Sequence, residues 1–131
     1  MKEDIVSPKR YTQNKLQCWD FWIKAGLDPL IASAVKYVWR YKYKNGIDDL
    51  MKAKVFLEKA LSEVSNSNDI FSSERSYILN PSDVEYFTDK QFLFVHLSTK
   101  TTVKSQYAYF CDLMLDLLNT IIEEEKENMI V

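Results

Sequence analysis

Gly26 and Gly46 are the only glycines in a chain of 131 residues, and only Pro8, Pro29 and Pro81 join them as breakers. Backbone turns that need a left-handed residue or a fixed φ are therefore few, and long unbroken elements must fill the intervals. A glycine-rich phosphate loop, a dinucleotide fingerprint and a turn-dense β-sandwich all demand more glycine than this. With 47% hydrophobic residues the chain has enough apolar surface for a core, and its length suits one domain, 1–131. The expected class is mainly α, a small helical domain.

Residues 1–13 read as an extended arm, because Pro8 disfavours helix before it and no helical stripe follows. Leu16, Trp19 and Ile23, with Cys18 and Trp22 beside them, predict a first helix over Asn14–Ala25 that ends at Gly26. Asp28 as N-cap and Pro29 at the first position open a second helix. Its stripe is Leu30, Ile31, Ala34, Val35, Val38 and Trp39, and it runs to about Tyr43. Asn45-Gly46 turns the chain, Asp48 caps a third helix, and Leu50, Ala53, Leu57, Leu61 and Val64 carry its stripe. Residues 28–64 thus form an antiparallel helical hairpin. A Ser/Asn-rich link over 65–69 leads into an acidic half, 70–131. There Asn80-Pro81 reads as a helix start, and Thr88 with Gln91 makes a capping-box pattern. Residues 90–98 fit a short strand or a short helix, which periodicity alone does not separate. Val103 to Ile122 form one continuous stripe, predicting a long C-terminal helix over about 103–127.

Charge is unevenly spread. Residues 1–65 hold 12 Lys and Arg against 8 Asp and Glu, while residues 66–131 hold 5 against 11. The net of −2 excludes a chain that binds nucleic acid over its whole surface, so no direct nucleic-acid binding is expected. The basic half suits an anionic ligand. His96 is the sole histidine, and Cys18 and Cys111 stand apart among apolar residues, so no metal site is expected and both thiols read as buried. Met-Lys-Glu-Asp with no apolar run after it is no signal peptide, and no segment is apolar enough to span a bilayer. The expected location is the cytoplasm.

The chemistry concentrates in residues 34–61. Ser33, Lys36, Tyr37 and Arg40 share one helical face, Lys44 extends it, and Asp49 and Lys52 open the next helix across the turn. Lys36, Arg40, Lys44 and Lys52 then converge on one groove, with Tyr37 and Trp39 as candidates to stack on a base. Arginine donates bidentately to phosphate and lysine adds a compact cation. The plainer reading is a solvated face whose aspartates pair with neighbouring lysines.

Pro8, Tyr11, Asp20-Phe21, Gly26-Leu27, Ala34-Val35-Lys36-Tyr37-Val38-Trp39-Arg40, Lys44-Asn45-Gly46 and Asp49-Leu50-Met51-Lys52-Ala53 together resemble a family of short, mostly phage-encoded nucleotide kinases, typified by the early-region kinase of a T-odd coliphage. The likeness is limited to about residues 7–61, within a helical unit spanning 7–64. It implies a protein that binds nucleotides and passes phosphate to a (deoxy)nucleoside monophosphate. ATP or another nucleoside triphosphate would be the donor if the protein is a kinase, with or without Mg2+. Lys36, Arg40, Asp49 and Lys52 would be the catalytic set, with the lysines and Arg40 on phosphates and Asp49 orienting a lysine. Arg10, Tyr11, Ser33, Tyr37 and Lys44 would bind substrate. Arg10 stands where the family has His, and Gln17 where it has an acidic residue, which implies binding kept and catalysis lost. The alternative is a non-catalytic phage or prophage protein that inhibits a host enzyme or defence complex in the host cytoplasm. A homo-oligomer through the C-terminal helix is expected, because the hairpin looks too small to cover that helix's stripe.

Overall fold

The computed structural model describes residues 14–66 and 76–130, and among these every regular element is helical. Five α-helices follow in order: α1 Cys18–Ala25, α2 Pro29–Arg40, α3 Ile47–Asn66, α4 Asp89–Ser98 and α5 Tyr107–Ile130. Short 3-10 turns at Tyr41–Tyr43, Pro81–Val84, Thr99–Thr102 and Lys104–Gln106 link them. The segment left open between strand and helix is helical as α4. Its capping box forms as the sequence suggests: Thr88 Oγ1 accepts from the Gln91 N–H at 3.0 Å and Gln91 Oε1 accepts from the Thr88 N–H at 2.9 Å. The extended arm and the link beyond Asn66 lie outside the described residues.

Local signals set the ends of the first two helices. Gly26 takes φ 71° and its N–H reaches the Trp22 and Ile23 carbonyls, closing α1. Asp28 Oδ1 accepts from the Leu30 and Ile31 N–H groups at 2.9 and 3.0 Å, and Pro29 follows at the first position of α2. The α-helical part of α2 stops at Arg40, three residues before the expected end, and tightens into the Tyr41–Tyr43 turn. Gly46, at φ 54°, reverses the chain. Asp48 does not cap α3. It is exposed in the first turn, while the fully buried Asp49 turns back to accept the Asn45 N–H at 3.2 Å.

The hairpin α2–α3 is antiparallel in register: Arg40 meets Asp49, and one turn earlier Tyr37 stacks on Phe56. Its inner face buries Ile31, Ala34, Val35, Val38, Leu50, Ala53, Leu57 and Ala60. Helix α5 lays Tyr107, Cys111, Met114, Leu118, Ile121 and Ile122 against α3 and α4. Most of the stripe that motivated a dimer is thus covered within the chain, while Phe110 and Leu117 stay half-buried and Val103 lies outside the helix at 39% exposure. Gln91 joins the layers: its Nε2 donates to the Val38 carbonyl at 3.0 Å, satisfying one of the carbonyls left open at the end of α2.

Helix α1 departs most from expectation. Trp19 and Ile23, read as its core stripe, face outward at 61% and 57% exposure, and Phe21 and Ala25 are buried instead. Six of its eight residues are apolar (Cys18, Trp19, Phe21, Trp22, Ile23 and Ala25), so apolar spacing fits more than one face. Packing selects Phe21, which meets Trp39 at 5.6 Å and Tyr77 at 5.5 Å between ring centroids.

Candidate functional site

Tyr37 stands in the third turn of α2, partly buried against Phe56 of α3, and three cations converge on its ring. Lys36 Nζ lies 4.5 Å from the centroid, Arg40 Cζ 4.8 Å and Lys52 Nζ 5.6 Å. Lys36 and Arg40 arrive from α2 by their i−1 and i+3 positions, and Lys52 arrives from α3 because the antiparallel register sets it across from Tyr37. Phe56 stacks on the same ring at 5.9 Å with planes 19° apart. The ring quadrupole attracts each cation by about 0.5–1 kcal/mol at an exposed site. That attraction holds three like charges at separations on the order of a Debye length or less, about 10 Å at 0.1 M salt.

One carboxylate answers them. Asp49 is fully buried and binds Arg40 through both oxygens, Nε to Oδ2 at 3.3 Å and Nη2 to Oδ1 at 3.2 Å. The sequence reading gave Asp49 the task of orienting a lysine; it is Arg40 that it orients. Among the described residues no carboxylate lies within salt-bridge distance of Lys36 or Lys52. Both lysines are exposed. The site is thus a cationic surface whose one ion-paired acid is committed to Arg40.

The remaining expected residues fall in different places. Ser33 is half-buried and lines an open cleft of about 300 Å3 together with Trp22, Leu27, Pro29, Ala32 and Lys36. Lys44 is exposed in the turn before Gly46. Arg10 and Tyr11 lie outside the described residues. Trp39 cannot receive a base: it is 4% exposed and wedged between Phe21 and Phe87, the latter at 4.8 Å. Trp22, Leu27, Pro29 and Ala32 were not singled out by spacing. For Trp22 the signal was a short helix with apolar residues on every side, which leaves it half-buried; nothing in the spacing marked Leu27, Pro29 or Ala32 as a cleft lining.

Cys18 approaches the cluster from α1. Burial pushes its thiol up to about 12, with the Lys36 and Arg40 charges pulling the other way, so it is no ready nucleophile at neutral pH. The N-terminus of α2 is closed to anions, because Asp28 already occupies its first free N–H groups. Any anion here must be held by side chains. No three of His, Cys, Asp and Glu converge among the described residues as a protein-held metal would require. No helix among the described residues is long and apolar enough to cross a membrane.

Residues 5–58 match a family model described as a protein of unknown function, DUF3310. No nucleotide-kinase family matches, which corrects the resemblance drawn from Pro8 through Ala53. No curated protein and no solved structure matches the chain. The matched span covers less than half of the chain, yet it contains every residue of the Tyr37 cluster and of the cleft.

Proposed function

We propose that this chain binds a nucleotide, anchoring its phosphate on Lys36, Lys52 and Arg40 around Tyr37. One observation carries the reading: three cations share one aromatic ring while the one carboxylate in ion-pair contact with them is spent on Arg40. Arg40, held by Asp49 through Nε and Nη2, is aimed rather than neutral in direction, since Nη1 stays outside that pair. The lysines supply mobile charge to follow the phosphate oxygens. A dianionic phosphate would relieve the repulsion among the three cations.

The reading stops at binding. Transfer from ATP to a nucleoside monophosphate needs donor and acceptor phosphates set in line, the acceptor oxygen being already ionised at neutral pH, and the Tyr37 cluster is assigned to one phosphate alone. Thermal unfolding in the presence of nucleoside mono-, di- and triphosphates, with and without Mg2+, tests it. A nucleotide at 100 times its Kd raises stability by about 2.7 kcal/mol. Lys36→Ala and Lys52→Ala are expected to stay folded and to weaken binding about tenfold each, the scale of one charged hydrogen bond. An unchanged melting temperature with every nucleotide at millimolar concentration would sink the proposal.

A second reading, a non-catalytic protein that docks on another macromolecule, is favoured by the exposed pair Trp19 and Ile23 on one side of α1. It separates from the first by a Trp19→Ala/Ile23→Ala variant. That variant should lose any stoichiometric partner while keeping nucleotide-dependent stabilisation.

A further inference from the structure

The phosphate anchor has a neighbour that a phosphate alone would leave unused, and the inference here rests on that anchor. The open cleft of about 300 Å3 runs between the end of α1 and the first two turns of α2, and Lys36 belongs to both features: it closes one end of the cleft and reaches the Tyr37 ring at 4.5 Å. A ligand lying in the cleft therefore meets one cation of the cluster, Lys36. Tyr37 is not available to stack on a ring, since Phe56 and three cations already attend it. Trp39 is sealed in the core. Trp22, half-buried and lining the cleft, is the indole that borders open space beside the cluster.

Size and chemistry of the lining narrow the occupant. The volume is at the low end of small-molecule sites, roughly 300–1,000 Å3, which suits one ring system. Trp22, Leu27, Pro29 and Ala32 present apolar surface, and the polar side chains are Ser33 and Lys36. The geometry points to the cleft as the subsite for the planar base of the nucleotide whose phosphate rests on Lys36. Trp22 stacks on the base and the Ser33 hydroxyl meets its edge. Stacking of one base on one aromatic ring supports about a tenfold gain in affinity.

Ribose 5-phosphate and the monophosphates of the four common nucleosides carry the same phosphate and differ by the base, so calorimetric titration of the full chain with these probes isolates the cleft. The best monophosphate is expected to bind about tenfold more tightly than ribose 5-phosphate. Ser33→Leu, which fills the cleft without removing core packing, should erase that advantage and leave ribose 5-phosphate binding unchanged. In a Trp19→Phe background the base should still alter tryptophan emission; adding Trp22→Phe should abolish the response. Equal affinity for ribose 5-phosphate and every monophosphate, or an advantage that survives Ser33→Leu, would overturn the base subsite while leaving the phosphate anchor intact. Absence of binding by all five probes would overturn the anchor, and the subsite with it.

Discussion

Asp49 shows how much one residue's role depends on what faces it. Adjacent aspartates begin α3, and Asp48 looks the better cap, yet Asp48 is exposed and Asp49 is completely buried against Arg40 and the Asn45 N–H. Removing one partner of a buried pair strands the other charge and costs about 3–5 kcal/mol. Arg40 keeps 16% side-chain exposure, so the lower end applies, and Asp49→Ala is expected to lose about 3 kcal/mol in urea denaturation. Asp48→Ala should stay within about 0.5 kcal/mol of the parent, as substitutions on open surface usually do. A reversed order would mean that the pair seen here does not hold the turn. Spacing placed Asp49, Arg40, Lys36 and Lys52 at one end of the hairpin. It could not say which cation the carboxylate takes, because that depends on side-chain reach across two helices.

At the scale of elements, the helices that matched their sequence signals are those with strong local punctuation. Asp28-Pro29 opens α2, Thr88 with Gln91 opens α4, and Gly26 closes α1, each through hydrogen bonds within a few residues. Gln91 does more than cap, since its amide nitrogen also binds the Val38 carbonyl of α2 from inside the core. Gln91→Leu preserves bulk but leaves that carbonyl and the Thr88 N–H without their partner. A loss of about 2–3 kcal/mol is expected. Thr88→Ala, which removes only the cap, should cost about 1 kcal/mol. Comparable midpoints for the two variants in chemical denaturation would show that the α2–α4 link contributes little. Helix α1 lacks such guidance for its facing. Its ends were legible to within a few residues, but with apolar side chains all round, the choice of Phe21 over Trp19 as the buried ring belonged to α2 and to Tyr77.

For the molecule as a whole, burial of weakly acidic groups predicts a specific alkaline limit. Burial raises the Cys18 and Cys111 thiols from 9.0 to about 12 and the Tyr41 phenol from 10.0 to about 12, the last helped by Glu125 and Glu124. The Tyr107 phenol also rises through burial, with Asp28 and Cys111 adding to the effect. Each group binds its proton more tightly folded than unfolded. Their contribution to stability is fully present below pH 9.0, and it is lost as pH climbs toward 12, because the unfolded chain releases protons that the fold retains. Denaturation midpoints should fall over that window, and less steeply in a Cys18→Ala/Cys111→Ala variant. A midpoint that stays flat from pH 9 to 11 would contradict this burial pattern. Size-exclusion with light scattering addresses assembly: with most of the α5 stripe packed on α3 and α4, the exposed apolar side chains that remain for a dimer include Trp19 and Ile23 of α1.

Two glycines, well-placed caps and apolar spacing were enough to determine a helical chain, a hairpin near residues 28–64 and a long last helix, because these depend on interactions among residues a few positions apart. The basic character of the hairpin's outer face was equally plain, since i, i+3 and i+4 spacing places Ser33, Lys36, Tyr37 and Arg40 together whatever surrounds them. Only the tertiary structure decided that three cations gather on Tyr37, that Trp39 keeps to its core stripe and offers no face to a base, and that Trp22 borders the cleft. Those outcomes follow from the register of α3 on α2 and from the turn of α1 about its own axis. Both are set by competition among distant apolar side chains for the same core, and no window of the sequence contains that competition.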